Sequence, residues 1–390
     1  MNIFSAQIDG HCFAITTCKH NMLAVIIGLA PGTFHTMVVK QDGSLWGSGL
    51  NSVGQLGIGS STFDSKIFVP IIQGGTVAAA AGVDHSLILK QDGSVWVTGT
   101  NSMCQLEEKS IGNTRSYFFV QMIPGGAKAV AAGSYHSMVL MEHGHIWAMG
   151  WNKYGQLGDG STSDKTKFIQ VISSEVKAVA AGALHSVVLK QDTSVWAAGR
   201  NYNGQLGDGS TNDRNSFVKV LSSGAVDVAA GGYHSMVLKQ DGSVWVTGWN
   251  VYGQIGDGTT TDRVNYADVI PSGVKAVAAG SRHSIVMKQD GSVWATGYNL
   301  YGQLGDGSTI DRRKFAKVVD TGAEGVAAGA FHSMVVLRNG TALVTGSNHY
   351  GQLGDDSTVS KYAFVKVGSF GNGADIVSCI WIRVNDPKTL

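Results

Sequence analysis

The sequence predicts an all-β protein, a seven-bladed β-propeller of four-stranded blades. Three observations predict it. A set of markers recurs seven times at spacings of 49–51 residues. Each copy carries four short strand-forming runs and no helical pattern. Glycine makes up 53 of 390 residues against only 5 proline, roughly twice the average glycine share of about 7%.

The first marker is His followed by Ser or Thr, at His35, His85, His136, His185, His234, His283 and His332. Eleven residues later stand Trp46, Trp96, Trp147, Trp196, Trp245 and Trp294, with Leu343 in the seventh copy. Asn51, Asn101, Asn152, Asn201, Asn250, Asn299 and Asn348 follow, then Gln55, Gln105, Gln156, Gln205, Gln254, Gln303 and Gln352. Four-stranded units of about 40–50 residues in sevenfold repetition describe a propeller, which leaves few open strand edges.

One copy shows each element. Ala276-Val-Ala-Ala-Gly280 is a short apolar run, and His283-Ser-Ile-Val-Met-Lys288 is a β-rich run. Asp290-Gly291 between this run and Val293-Trp-Ala-Thr-Gly297 predicts a hairpin, with a type I′ turn expected. A Gly-rich loop leads to a fourth run, Phe315-Ala-Lys-Val-Val319. Glycines at this density cost a helix about 1 kcal/mol each.

The array makes one domain over residues 1–390, with the repeats spanning roughly 24–370. Asp9-Gly-His-Cys-Phe-Ala14 and Ile376-Val-Ser-Cys-Ile-Trp-Ile-Arg383 look like pieces of further strands. Segments 1–23 and 371–390 are therefore expected to clasp or cap the ring.

Composition excludes several classes. Hydrophobic content of 43% supports a large core and excludes disorder as the main state. A net charge of +1 speaks against direct binding of nucleic acid, which needs clustered basic residues. Cys12, Cys18, Cys104 and Cys379 form no C-x-x-C pair, so free thiols in a reducing compartment are expected. The apolar stretch 22–30 falls short of the roughly 20 residues a membrane helix needs. An intracellular protein, cytoplasmic or nuclear, is the expectation.

Ala-Ala-Gly-x-x-His-Ser followed by Asp-Gly-Ser-Val-Trp-x-x-Gly-x-Asn-x-x-Gly-Gln-Leu-Gly resembles the repeat of the regulator of chromosome condensation family. The resemblance covers about residues 24–370. It implies the same seven-bladed fold. It leaves function open, because the family includes the nuclear guanine-nucleotide exchange factor for the GTPase Ran, a plant UV-B photoreceptor and modules of ubiquitin ligases.

The repeated residues read as structural. Histidines in successive blades of a wide ring stand too far apart to share an ion at about 2.0–2.1 Å per bond. They are expected to pin their blades by hydrogen bonds to backbone. The tryptophans, replaceable by Leu343, suit packing between blades. Loops such as Gly155-Gln-Leu-Gly-Asp-Gly-Ser-Thr162 lack the Lys and the helix of a phosphate loop. The serine after six of the seven histidines occupies a structural slot, and no catalytic triad stands out. Neither a cofactor nor a metal is expected.

Recognition is expected at positions that vary between copies. The residue before each His runs Phe34, Asp84, Tyr135, Leu184, Tyr233, Arg282 and Phe331, near one mouth of the ring. The residue before each Asn runs Leu50, Thr100, Trp151, Arg200, Trp249, Tyr298 and Ser347. A third set, before Gly-Gln, runs Val53, Met103, Tyr154, Asn203, Tyr252, Tyr301 and Tyr350. Trp, Tyr and Arg are enriched in interface hot spots, so Asp84, Tyr135, Tyr233, Arg282, Phe331, Trp151, Arg200, Trp249 and Tyr298 form the candidate surface. Asp164-Lys165, Asp213-Arg214, Asp262-Arg263 and Asp311-Arg312-Arg313-Lys314 alternate in sign and read as a solvated rim with local ion pairs. Glu107 and Glu108 replace the usual Gly-Asp in copy two and are a candidate functional loop.

The resulting expectation is a non-enzymatic protein-interaction module that binds a protein partner. An exchange factor for a Ran-like GTPase is the alternative. Asp84 favours it, since the founder's GTPase-facing loops carry a similar acid. The absence of an extra hairpin within the 49–51-residue intervals weighs against it. Light sensing is disfavoured. The photoreceptor's functional tryptophans fall two residues before certain histidines, where this chain has Thr33, Val83, Ser134, Ala183, Gly232, Ser281 and Ala330.

Overall fold

The ring follows from seven sheets that each bury both faces. A computed structural model describes residues 7–8, 11–12, 26–60, 64–106 and 115–367. The seven four-stranded antiparallel sheets are contiguous in sequence, at 26–72, 76–123, 127–172, 176–221, 225–270, 274–319 and 323–366. We number these blades 1 to 7. In blade 6 the strands are Val274–Ala279, His283–Lys288, Val293–Gly297 and Arg312–Val319, running from the central channel outwards. The second strand is buried almost along its whole length, because each blade is sandwiched between neighbours. This explains its nearly continuous apolar run.

The hydrophobic core is divided into seven clusters, one per seam between blades. Ile285, Val293 and Leu304 of blade 6 meet Val326 and Val335 of blade 7. The seam between blades 7 and 1 is built in the same way, from Met334, Val344 and Leu353 against Val38 and Phe68. The two ends of the repeat array therefore meet directly. The expected clasp by segments 1–23 and 371–390 lies almost wholly outside the described residues. Gln7–Ile8 and His11–Cys12 pair antiparallel with each other.

Each tryptophan is half-buried in the seam with the preceding blade, as the packing expectation requires. Trp294 packs on the blade 5–6 cluster and Leu343 takes the equivalent place between blades 6 and 7. The indole N–H of Trp294 donates to Ser292 Oγ at 3.0 Å, and Ser292 Oγ donates to Asp290 at 2.6 Å. Lys288 Nζ lies 4.1 Å from the indole centroid.

The Asp-Gly hairpin forms, but its turn differs from the expected type I′. Among the turn residues of blade 6 only Gly291 has positive φ, at 77°. Gly291 N–H donates to Lys288 O, and Lys288 N–H donates to Ser292 O. The loop is thus one residue longer than type I′ requires, with a single left-handed position at its end. Asp290 stays out of that region and instead accepts the Ser292 N–H at 2.9 Å.

The histidines form a closed ring, with a partner other than the expected backbone. His35 Nε2 meets Ser86 Oγ of the next blade at 2.7 Å. His85, His136, His185, His234 and His283 meet Ser137, Ser186, Ser235, Ser284 and Ser333 at 2.8–3.2 Å. His332 completes the circle on Thr36 at 2.9 Å. Ser333 Oγ in turn donates to Gln303 O at 2.6 Å. A carbonyl can only accept, so the hydroxyl proton points there and His283 Nε2 must carry its own proton. Nδ1 is buried without a hydrogen-bond partner in all seven histidines. Burial pushes these imidazoles down to about pH 3 to 4, which keeps them neutral.

The Ala-Ala-Gly glycines allow this ring to close. A Cβ on Gly280 would stand 2.2 Å from His283 Cε1 and 2.6 Å from Gly329 O. The role here is close approach of backbones, since Gly280 is not among the positive-φ residues.

Candidate interaction face

The first-to-second-strand turns and the third-to-fourth-strand loops emerge on one face of the ring, because strand direction alternates within each blade. Six Ala-Gly-x turns and Pro31-Gly32-Thr33 line a small central cavity of about 140 Å³ there. Outside it sit the residues that precede the histidines, and each is tied to the residue that precedes an asparagine. Tyr135 O accepts from Trp151 N, Leu184 O from Arg200 N, Tyr233 O from Trp249 N and Arg282 O from Tyr298 N, at 2.8–3.0 Å. Thr100 N donates likewise to Asp84 O at 2.8 Å, and Ser347 N to Phe331 O at 2.8 Å.

The loops that carry the third set are fixed from within. Asn299 Nδ2 donates to Asp306 Oδ1 at 3.0 Å, and Asn299 Oδ1 accepts from Leu304 N at 3.0 Å. Gln303 Oε1 accepts from Tyr301 N at 3.1 Å. These bonds account for the Asn and Gln markers and support the turn-forming reading of the Gly-rich loops. The rim charges do pair locally, though across the loop instead of with the adjacent Asp. Arg214 Nε meets Asp208 at 2.7 Å, and Arg312 Nη2 meets Asp306 at 2.7 Å. Asp213 and Asp311 accept the backbone N–H of Asn201 and Asn299. The loop reversal brings residues six apart together and turns neighbours away. Burial works against the Asp208 charge, yet hydrogen bonds from Arg214 and Ser210 hold its carboxyl below the ordinary range.

The candidate aromatics come together in two runs of ring contacts, most of them edge-on. Tyr135, Trp151 and Tyr154 stack at 5.8 and 5.6 Å between centroids. Tyr233, Trp249, Tyr252 and Tyr298 follow at 5.4, 5.3 and 4.7 Å. Tyr301 then links Tyr298 to Phe331, at 6.2 and 5.6 Å. Phe34 meets Tyr350 at 5.2 Å. Arg200 lies 4.9 Å over the ring of Tyr154. Arg282 stands among Trp249, Tyr252 and Tyr298 at 5.5–5.6 Å from each centroid. All of these rings but Tyr350 are half-buried, and Tyr350 is exposed.

Asp84 belongs to the same turns, and its charge acts on the Tyr135 hydroxyl. Burial raises its carboxyl above the ordinary value. Glu107 and Glu108 lie outside the described residues. The loop tips were not among the expected positions. Tyr202, Val251 and Leu300, one residue after their asparagines, are 72%, 52% and 56% exposed. An apolar residue at a position filled by Ser52, Ser102 and Lys153 elsewhere is the signal that could have found them. Among the described residues no group of three or more His, Cys, Asp or Glu could hold a metal ion. Among the described residues no helix is long and apolar enough to cross a membrane.

The fold and the face define a seven-bladed propeller with a ring of structural histidines and an aromatic rim. The family model of the RCC1-like domain matches residues 13–271, and models of the regulator of chromosome condensation (RCC1) repeat match 274–303, 324–352 and 290–336. The chain belongs to this family. Among solved structures it is similar to yeast RCC1 (Prp20) bound to Kap60, at 18% identity and TM-score 0.75 over 94% of this chain and 92% of that one. Human WBSCR16 is similar at 22% identity and TM-score 0.71, over 84% and 89%. The ectodomain of the Arabidopsis thaliana receptor kinase ACR4 matches at 16% and 0.52, over 83% and 96%. At these identities the likeness is one of fold.

Proposed function

We propose that the protein is a non-enzymatic interaction module that binds a protein partner through the aromatic face. The continuous run of rings from Tyr233 to Phe331, with Arg282 within it, carries this reading. Half-buried Trp, Tyr and Arg side chains on rigid turns offer large contact area at low ordering cost. The double variant Trp249→Ala with Tyr298→Ala is expected to keep its fold and to lose capture of a partner from lysate. Full retention of that partner counts against the proposal.

The second reading is exchange activity on a small GTPase. Two observations favour it. One is the half-buried acid Asp84. The other is the likeness to Saccharomyces cerevisiae Prp20p, at 19% identity and TM-score 0.72 over 89% of this chain and 88% of that one, a structure described with its binding properties to Gsp1p and histones. A nucleotide-release assay on a Ran-like GTPase tests it. Acceleration that disappears in Asp84→Ala would place this reading first.

A further inference from the structure

Arg282 is held in an unusual state for a surface arginine. Its backbone is fixed by the 2.9 Å bond from Tyr298 N, and three rings from blades 5 and 6 surround its guanidinium. A guanidinium has five N–H donors. Here a single bond of 3.5 Å runs from Nη1 to Tyr252 Oη, and Nε is buried without a partner. None of the ion pairs among the described residues includes Arg282. The acids of the two loops that carry its rings are engaged within those loops or with a neighbouring one. Asp262 accepts from Asn250 N and Asn203 Nδ2, and Asp311 accepts from Asn299 N. The rings orient a charged fork and leave most of its donors unused, which suits a planar acceptor arriving from outside at the terminal nitrogens.

We infer that Arg282 is the anchor for a carboxylate on the partner, presented by an Asp or Glu within an acidic peptide segment that also carries apolar side chains. The inference rests on the interaction-module reading and specifies its partner's chemistry. Charge complementarity selects the carboxylate, since the cage adds to this face a positive charge that no ion pair among the described residues engages. Phosphate recognition generally uses clustered arginines, and here the cage holds Arg282 alone. The exposed tips Val251 and Leu300 flank the cage, on the loops of Trp249–Tyr252 and Tyr298–Tyr301, and offer seats for the apolar neighbours of the acid.

The test is an array of random octapeptides, each paired with a copy in which Asp and Glu become Asn and Gln, probed with the full chain. Bound peptides are expected to carry an acid, and the neutral copy and the variant Arg282→Met are each expected to bind at least tenfold more weakly. Arg282→Gln serves as the second variant if Arg282→Met does not fold. Binders without an acid, no binders at all, or undiminished binding by both variants would overturn the inference. Loss in Trp249→Ala/Tyr298→Ala with full binding in Arg282→Met would leave the interaction module standing and remove the carboxylate. Displacement by inorganic phosphate, but not by chloride of equal ionic strength, would overturn it in favour of a phosphate partner. Self-association in sedimentation velocity that is abolished by Arg282→Met would overturn it in favour of a second copy of the chain.

Discussion

His283 and Arg282 are neighbours in sequence with opposite situations. The histidine points inwards, is wholly buried and joins a ring that repeats in every blade. The arginine points to the face, touches three rings and has no counterpart in the other blades. The same turn thus carries one position that cannot vary without breaking the ring and one that can. The inner residue of each turn is tied to the stability of the ring, and the outer residue is where the proposed recognition would act.

The inner ring should break most readily in acid. Its histidines stay neutral in the fold down to about pH 3 to 4, whereas an unfolded histidine binds a proton near pH 6.5. Between these limits the unfolded chain holds more protons. Stability is therefore full above pH 6.5 and falls as pH drops through 6 and 5, by up to about 1.4 kcal/mol per unit for each histidine. Melting temperature measured against pH should show this steep acid limb. A flat profile down to pH 4.5 would contradict it.

Single substitutions grade the same contrast. Gly280→Val places side-chain atoms against His283 and Gly329 O and should cost about 3 kcal/mol or more in denaturant unfolding. His283→Ala removes the bond to Ser333 and leaves a cavity, for about 2–3 kcal/mol. Trp294→Leu copies what blade 7 already tolerates at Leu343 and should cost about 1 kcal/mol, the share of the Ser292 bond and the Lys288 stack. Tyr202→Ala at an exposed tip should change stability by no more than about 0.5 kcal/mol. An effect on stability as large as that of His283→Ala would end the distinction between ring and rim.

Much of this was legible in the sequence, and most of the failures have a common cause. Seven copies with His, Trp, Asn and Gln in register gave away the blades, because each strand is short and its ends are marked. The aromatic positions were legible because they vary at a fixed place. What could not be read were contacts between distant residues. The hydroxyl that meets His283 belongs to Ser333, fifty positions on, although a Ser or Thr beside every histidine was visible. Arg214 pairs with Asp208 instead of Asp213 because the loop turns back on itself. The hairpin turn was misjudged for a local reason. Asp-Gly occurs in two-residue and longer hairpin loops alike, and the length is set by where Lys288 and Ser292 pair.

The central claim is that partners meet the aromatic face and not the opposite one. Capture from lysate by three proteins tests it directly: the natural chain, Trp249→Ala/Tyr298→Ala, and Gln240→Ala/Gln289→Ala at the exposed hairpin tips of the other face. The expected result is loss of the partner in the aromatic-face variant alone, with all three proteins folded. Retention by that variant together with loss in the hairpin-tip variant would contradict the account.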